Sequence, residues 1–285
     1  MKVQATCFGA GTIVNAIATR KGAAFGLALR ATAIAESVPR AEGLQVQVAG
    51  NVDPTLAVGC ARRVLRRSRR KASLAVRVDS EIPVSRGLKS SSAVANAVVL
   101  ASARALELEL EPLQIIDLGI EAALEAKVTI TGAFDDACAS FFGGVVVTDN
   151  KARKIVKVDR FPPGLMAVVQ IPKRVITKPS LAAKDFAPIR SQVDEAYRLA
   201  LAGDYFRALE LNSAAYAPLL EIDEAPAKRA RAAGAMAAGI TGAGPAILAL
   251  VKPSHVEAVA EALQDGDSEV RVASLNTVES REVVL

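Results

Sequence analysis

A run of three serines that follows a glycine and two cations is the clearest candidate for chemistry in this chain. Residues 90–92 are serines and stand directly before a long apolar stretch, with Arg86, Gly87 and Lys89 just ahead of them. If a helix begins at the serines, its free backbone N–H groups and its dipole favour a bound anion, and the glycine lets the backbone approach closely. The segment therefore predicts a phosphate-binding loop, although a serine-capped helix after an ordinary loop has the same residue types.

Two further glycine-rich segments could bring backbone close to a ligand. In residues 239–247 (GITGAGPAI), three glycines and a proline precede an apolar strand, where a plain turn is the simpler interpretation. Residues 9–26 begin with Gly9 and Gly11 after a predicted strand, as a dinucleotide-binding fingerprint does. Val14 stands at the third glycine position, however, so this fingerprint fails, and the sequence has no Walker A pattern.

Four acidic residues between positions 121 and 136 are candidates for acid–base or metal chemistry. Glu121 and Glu125 lie one helical turn apart and would share a helix face. Asp135 and Asp136 follow a glycine turn and open a short predicted helix. Carboxylates at a helix start often only cap it, so the position of these two aspartates does not by itself establish a catalytic site.

The elements that must position these residues follow from hydrophobic patterning and breakers. The pattern predicts strands at 2–8, 24–36, 44–48, 73–79, 144–148, 165–171 and 246–251, and helices at 54–70, 90–109, 112–126, 136–142 and 254–264. Residues 187–235 are predicted to be helical with interruptions, and 269–284 to form two strands. The FPPG breaker at 161–164 predicts a division into two lobes, residues 1–160 and 161–285, both α+β with mixed or antiparallel sheets.

Composition limits the class of protein and the kinds of site. The chain has 285 residues, of which 51% are hydrophobic and 23% charged, so it can form a sizeable core in one or two domains. The single histidine argues against a His-dependent triad. Cys7, Cys60 and Cys138 are too far apart in sequence for a zinc motif or a disulfide framework. The net charge of +5 suits a phosphate-rich or carboxylate ligand, and it also suits nucleic acid.

Two segments allow interpretations other than an enzyme site. Residues 62–71 contain six arginines and a lysine, which could mark a nucleic-acid surface, but no aromatic residue interleaves them and a solvated helix end is favoured. Residues 232–251 carry no charge and are long enough to span a membrane. Their four glycines and Pro245 favour a glycine loop before a buried strand instead. From these two segments, binding to nucleic acid or to a membrane is not expected. The start of the chain lacks a signal-peptide layout, so a cytoplasmic protein is expected.

Taken in order, these segments resemble the GHMP kinase superfamily, which includes galactokinases, homoserine kinases and mevalonate kinases. The middle motif of that superfamily is proline, three residues, then Gly-Leu-Gly-Ser-Ser-Ala. It stands here as PVSRGLKSSSA at 83–93, with Lys89 and Ser92 as departures. The last glycine motif corresponds to TGAGP at 241–245. Within the superfamily the chain is most similar to the archaeal-type shikimate kinases, through GAGTIVNAIATRKGAAFGLAL at 9–29, RGLKSSSA at 86–93 and TGAFDDACAS at 131–140.

This resemblance implies a fold and a reaction. The implied GHMP kinase fold is α+β with two lobes, an N-terminal α+β lobe that binds the nucleotide phosphates and a ferredoxin-like C-terminal lobe, with the active site between them. The implied reaction transfers a phosphoryl group from ATP to shikimate, giving shikimate 3-phosphate on the way to chorismate and aromatic amino acids, with Mg²⁺ as cofactor. Another small-alcohol kinase, such as homoserine or mevalonate kinase, stays open, and so does a non-catalytic nucleotide-binding sensor.

The resemblance also implies roles for individual residues. The nucleotide phosphates would be bound by Pro83, Val84, Ser85, Arg86, Gly87, Leu88, Lys89, Ser90, Ser91, Ser92 and Ala93, together with Thr241, Gly242 and Gly244. Ser91 and Glu125 would hold Mg²⁺. Asp136 stands seven residues before Gly143 and eleven after Glu125, as the catalytic aspartate of the family does, which leaves Asp135 as a helix cap or a supporting residue. The shikimate carboxylate needs a cation, for which the candidates are Arg20, Lys21, Lys173, Arg174 and Lys178, and Asn15 is a further substrate candidate.

Overall fold

A computed structural model of the chain describes residues 1–50, 52–176 and 178–285, the side chains of residues 178 and 179 excepted. Its strands are β1 (Lys2–Val14), β2 (Lys21–Pro39), β3 (Gly43–Val48), β4 (Ala72–Ser80), β5 (Val145–Asp149), β6 (Lys154–Asp159), β7 (Met166–Ile171), β8 (Ala237–Ile240), β9 (Ile247–Val251), β10 (Glu269–Ser274) and β11 (Arg281–Val284). Its α-helices are α1 (Thr55–Ser68), α2 (Ser90–Ala105), α3 (Pro112–Glu125), α4 (Phe134–Phe142), α5 (Lys178–Ala182), α6 (Arg190–Ala202), α7 (Tyr205–Leu220), α8 (Ala225–Ala232) and α9 (Val256–Leu263).

The longest elements of the fold are two paired strands that the sequence pattern only partly predicts. β1 and β2 are antiparallel partners along most of their length. The predicted strands end at residue 8 and begin at residue 24, whereas much of the glycine-rich segment between them is itself strand. The glycines serve close packing: a Cβ on Gly11 would overlap the ring of Phe25, and one on Gly22 would overlap the carboxylate of Asp135. Glycine is unusual in strands, so the pattern underestimates these two elements.

Seven strands of the described residues form the first sheet. Their order is β11-β1-β2-β4-β3, with β5 paired to the first residues of β2, and β6 paired to β5. The pairing of β3 with β4 is parallel and the others are antiparallel, so the predicted mixed sheet is confirmed. Helices α1 to α4 pack against this sheet and share one core with it, which includes Val76, Val98 and Ile116. β6 was not predicted from the sequence, since it is a short strand with exposed Val156 and Val158.

The second sheet has the order β10-β7-β9-β8 and is antiparallel throughout. Its chain order of strand, helices, two strands, helix and strand is the ferredoxin-like arrangement, as predicted for the C-terminal lobe. β8 was not predicted, because its sequence AAGI has one β-branched residue and no alternation. The short strand nonetheless lies fully buried beside β9.

The two sheets share a hydrophobic core. Phe25 and Leu27 of β2 belong to one cluster with Leu248 of β9 and Tyr216 of α7. The last strand, β11, pairs with β1 and so joins the first sheet. Residues 281–284 of the predicted C-terminal lobe therefore extend the N-terminal sheet, while the division near residue 160 stays a prediction.

Within the part of the chain that the structure describes, no helix is long and apolar enough to cross a membrane. The charge-free run 232–251 covers the end of α8, then β8, a glycine turn and β9. This is the glycine loop before a buried strand that the sequence favours.

Candidate active site

A cavity of about 670 Å³ is lined by residues of both lobes, a size typical of small-molecule sites. Its walls come from the end of β3 and the start of α1, from the loop that leads into α2, from the loop 127–133 and the start of α4, and from residues 242–244 between β8 and β9. The structure therefore brings the predicted phosphate loop, the aspartate pair and the last glycine motif to one site.

The predicted phosphate loop ends in a helix start without a side-chain cap. The N-cap residue of α2 is Lys89, whose backbone is left-handed with φ of 64°, and its side chain makes no capping hydrogen bond. The serine-capped alternative is therefore wrong. The three serines 90–92 line the cavity, and the first N–H groups of a helix have no intrahelical partners. An anion in the cavity can accept hydrogen bonds from them.

Two residues of segment 83–93 that were predicted to bind phosphate do not line the cavity. The guanidinium of Arg86 donates to the carbonyl oxygen of Lys173 at 3.0 Å. Ala93, one turn into α2, is fully buried and belongs to the hydrophobic core. The other nine residues of 83–93 do line it.

The last glycine motif packs closely against the phosphate loop. Gly87 has φ of 83°, and a Cβ there would overlap the carbonyl oxygen of Thr241. A Cβ on Gly242 would lie 2.8 Å from the Cα of Gly87. Gly242 and Gly244 line the cavity, whereas Thr241 is fully buried and does not. The prediction that Thr241 binds nucleotide is therefore corrected: it holds the loop that would do so.

Lys89 and Asp136 form a buried ion pair in the cavity wall. The Nζ of Lys89 lies 2.9 Å from Oδ1 of Asp136, and the two side chains are 7% and 17% exposed. Oδ1 of Asp136 accepts no hydrogen bond of good geometry, so the contact is electrostatic. Both residues line the cavity. The carboxylate that the sequence singles out as the proton acceptor thus faces the site with a cation beside it.

Asp135 also lines the cavity, is almost fully buried and is not a helix cap. It is the second residue of α4, whose N-cap is Ala133. Its Oδ1 accepts a hydrogen bond of 2.7 Å from Nδ2 of Asn150. Oδ1 of Asn150 in turn accepts one of 2.7 Å from the hydroxyl of Thr148. Burial raises the pKa of Asp135 to about 7, the charge of Asp136 adds to the increase, and Lys89 and Asn150 oppose it. A carboxyl with this pKa changes protonation near neutral pH.

Glu125, predicted as a magnesium ligand, does not line the cavity. Gly119, Ile120 and Ala123 of α3 do line it, and Glu125 projects from the other side of the same helix. There its carboxylate accepts a hydrogen bond of 2.6 Å from Arg63 of α1, and it is 69% exposed. The eleven-residue spacing to Asp136 therefore does not bring the two carboxylates to one site. The described residues contain no cluster of three or more His, Cys, Asp or Glu side chains that could hold a metal ion.

Among the described substrate candidates, Asn15 alone reaches the cavity wall. Its Nδ2 donates to the carbonyl oxygen of Gly242 at 2.8 Å. Lys21 is paired with Asp194 at 3.0 Å, and Arg174 donates to the carbonyl oxygen of Glu221 at 2.7 Å.

Two further cations predicted for the substrate carboxylate, Arg20 and Lys173, also lie off the cavity. Arg20 is exposed, and Lys173 forms a surface ion pair with Asp267 at 2.8 Å. The side chain of Lys178 lies outside the described residues. These residues were singled out by charge alone, which does not specify where a side chain points.

Sequence reasoning missed one wall of the cavity and several polar residues. The wall is apolar and includes Val48, Val52 and Leu56, which in a sequence look like ordinary core residues. Lys127 also lines the cavity, and Asn150 holds Asp135 from outside it. The signal that could have identified Lys127 is its place two residues after Glu125, at the start of the predicted glycine turn.

Comparisons with known proteins agree with this arrangement. The chain matches the family models of the GHMP kinases N terminal domain over residues 55–144 and of the GHMP kinases C terminal over residues 179–267. The shikimate kinase of Methanothrix thermoacetophila is 42% identical over 262 residues, which cover 92% of this chain and 90% of that protein. The shikimate kinase of Methanosarcina mazei is 42% identical over 271 residues, which cover 94% of this chain and 92% of that protein.

A solved structure shows the same fold at low identity. The homoserine kinase from Cytophaga hutchinsonii has a TM-score of 0.80 and 18% identity, and the match covers 99% of this chain and 97% of that one. Both family domains are matched in order, and relatives above 40% identity span nearly the whole chain. This protein therefore belongs to the GHMP kinase family of small-molecule kinases.

Proposed function

We propose that this chain transfers the γ-phosphoryl group of ATP to a hydroxyl of shikimate, forming shikimate 3-phosphate. Relatives named shikimate kinase are 39 to 42% identical over more than nine tenths of the chain. The structural observation that carries the proposal is that Asp136 and the uncapped start of α2 line one cavity. A proton acceptor and a phosphate-binding helix terminus at one site are what transfer to an alcohol requires.

The residues of the chain divide the work of the reaction. The N–H groups and hydroxyls at the start of α2 bind the phosphates of ATP. The apolar wall around Val48, Val52 and Leu56 binds the adenine ring of ATP. Asp136 orients the substrate hydroxyl and accepts its proton. Phosphoryl transfer depends on positioning and charge neutralisation more than on covalent participation of the protein. A cavity between two lobes can position ATP and the alcohol and surround the phosphates with groups that neutralise their charge.

The donors in the cavity wall fit Mg²⁺. Ser91 lines the cavity, and Oδ1 of Asp136 is a buried carboxylate oxygen that accepts no hydrogen bond. In kinase sites Mg²⁺ is bound by one or two carboxylates with phosphate oxygens and water. Ser91 and Asp136 would hold it, in place of Glu125. When bound, the ion supplies charge neutralisation on the phosphates of ATP.

The test is ADP release by the purified protein with a panel of alcohols. We expect turnover with shikimate that depends on ATP and Mg²⁺. The panel also contains homoserine, mevalonate and galactose. Turnover of one of these in place of shikimate would reject the substrate and keep the kinase. ATP binding without turnover of any alcohol would favour a nucleotide sensor.

The retained site residues argue against the sensor. A protein that only senses nucleotide has no need of a proton acceptor, yet Asp136 is kept in the cavity together with a buried cation. Removing two charges from water costs free energy, which their mutual attraction offsets only when the geometry of the pair is good. We also expect the protein to act in the cytoplasm, where ATP is available.

A further inference from the structure

Lys89 is the buried cation of the cavity, and the phosphate loop places it in an unusual way. Its side chain is only 7% exposed and reaches from the N-cap of α2 to Asp136 of α4. Burying a charged side chain costs free energy unless a partner compensates it. The ion pair with Asp136 supplies that compensation.

The backbone at Lys89 suits glycine better than lysine. Its φ of 64° and ψ of 30° lie in the left-handed region, which non-glycine residues adopt at a cost. The superfamily motif that this segment resembles has glycine at this position. The chain thus carries a lysine at a position where backbone geometry alone would favour glycine.

The ammonium of Lys89 lies between the last glycine motif and the carboxylate of Asp136. A Cβ added to Gly242 would lie 3.1 Å from Nζ of Lys89, so the ammonium packs against the last glycine motif. On its other side it contacts Asp136 at 2.9 Å. The ammonium thus contacts both the glycine turn and the carboxylate of Asp136, and all three line the cavity.

We propose that Lys89 is a catalytic residue, whose ammonium orients the Asp136 carboxylate before substrates bind and contacts an oxygen of the transferred phosphoryl group during the reaction. This inference rests on the proposed kinase function. In the step, the alcohol oxygen forms a bond to the γ-phosphorus, and the bond from that phosphorus to the bridging oxygen breaks with its electron pair leaving on ADP. The hydroxyl proton moves to Asp136. Lys89 keeps its proton and offsets the charge on the phosphoryl oxygens.

The experiment compares Lys89→Gly, Lys89→Met and Lys89→Arg with the wild type. Glycine fits the left-handed backbone without strain, and methionine removes the charge while keeping most of the apolar stem. Arg69→Gly is the matched control, since Arg69 is an exposed cation with φ of 54° at the end of α1. For each protein, kcat, KM for ATP, the direct affinity for ATP and the melting temperature are measured, with and without added n-propylammonium.

We expect Lys89→Gly and Lys89→Met to lower kcat at least fiftyfold, while ATP affinity changes less than fivefold. n-Propylammonium should restore part of the kcat of Lys89→Gly, because the amine can enter the space left by the side chain. It should not affect Arg69→Gly or Asp136→Asn. Lys89→Arg should recover little activity, since the guanidinium fork is wider than an ammonium.

Several results would overturn the proposal. A kcat within threefold of wild type in Lys89→Met would remove the catalytic role. A loss confined to ATP affinity would make Lys89 a phosphate ligand only, and a fall in kcat without amine rescue and with a much lower melting temperature would make it structural. If Lys89→Gly does not fold, Lys89→Met decides.

The wild-type protein separates failure of this proposal from failure of the proposed function. If shikimate is inactive and another alcohol is turned over, the Lys89 variants are measured with that alcohol. Wild type that turns over no alcohol would reject the proposed function and the catalytic role together. Normal wild-type turnover with unaffected Lys89 variants would reject the role of Lys89 alone.

Discussion

The hydroxyl of Thr241 donates a hydrogen bond of 3.0 Å to the carbonyl oxygen of Gly87, which joins two segments 154 residues apart. The same hydroxyl accepts a bond of 3.2 Å from the backbone N–H of Thr12. The hydroxyl of Thr12 accepts one of 2.7 Å from the N–H of Gly242. The phosphate loop is therefore held by β1 and by the last glycine motif at once, and its conformation depends on contacts between the lobes.

Replacing Thr241 should loosen the phosphate loop. Thr241→Val keeps the shape but leaves the Gly87 carbonyl and the Thr12 N–H without a buried partner, at a cost of about 1–3 kcal/mol. We expect a lower melting temperature and a KM for ATP raised about fivefold or more, with a smaller change in kcat. Thr241→Ser keeps the hydroxyl and serves as the control. An unchanged KM for ATP in a folded valine variant would contradict the role of Thr241 in holding the loop.

Gly87→Ala tests the close approach itself. At Gly87, with φ of 83°, a Cβ would overlap the carbonyl oxygen of Thr241, so the loop must shift. ATP binding should weaken at least tenfold, as measured by titration calorimetry. Gly164 is a matched control: its φ is 85°, but a Cβ there meets nothing within 4 Å. Gly164→Ala should cost only the backbone strain of about 1 kcal/mol and leave ATP affinity unchanged. Equal ATP affinity in both variants would refute the importance of this contact.

The motifs predicted which segments line the cavity, because glycines, serines and paired aspartates are typical of tight turns and helix starts. The ferredoxin-like lobe was predicted through the resemblance and is confirmed by the strand order of the second sheet. The lengths of β1 and β2 were not predicted, since packing of glycines against Phe25 and Asp135 overrides strand propensity. Neither the Lys89–Asp136 pair nor the exposure of Glu125 follows from spacing. Both depend on the direction in which a side chain leaves its helix, which tertiary packing decides.

The two adjacent aspartates should differ sharply in their effect on turnover. Both line the cavity, but Asp136 is paired with Lys89, whereas Asp135 is only 3% exposed and its carboxylate is bonded to Asn150. Asp136→Asn removes the proton acceptor, and we expect kcat to fall by about a hundredfold or more. Asp135→Asn keeps an oxygen for Asn150 and should retain kcat within about tenfold. A full loss in Asp135→Asn together with a nearly active Asp136→Asn would reverse the assignment.

Asp135 should also make stability depend on pH. Its pKa rises from 3.8 to about 7 on folding, chiefly through burial. The native state thus holds a proton that the unfolded state releases between about pH 4 and pH 7. The free energy of unfolding should fall as pH rises through that window, by about 1.4 kcal/mol for each unit of pKa change. Lys89 and Asp136 are the charged groups that face it.

Asp135→Asn should remove this dependence. In magnesium-free buffer, denaturant unfolding at pH 4.5 and at pH 8 should show the variant gaining stability relative to wild type at the higher pH. At pH 4.5 the two proteins should be similar. A difference that is the same at both values of pH would mean that Asp135 does not titrate in this range in the native state.

Glu125→Gln separates the structural assignment of the metal site from the one that sequence spacing implies. Glu125 is 69% exposed and paired with Arg63, and surface ion pairs contribute about 0–1 kcal/mol. We therefore expect kcat within twofold of wild type, an unchanged Mg²⁺ requirement and a slightly lower melting temperature. Ser91→Ala, whose hydroxyl lines the cavity, should lower kcat/KM at least tenfold, about 1.4 kcal/mol, and raise the Mg²⁺ concentration for half-maximal rate. If Glu125→Gln instead behaves as Ser91→Ala does, Glu125 reaches the metal when ATP is bound. In that case α3 and the Arg63 contact must rearrange on nucleotide binding.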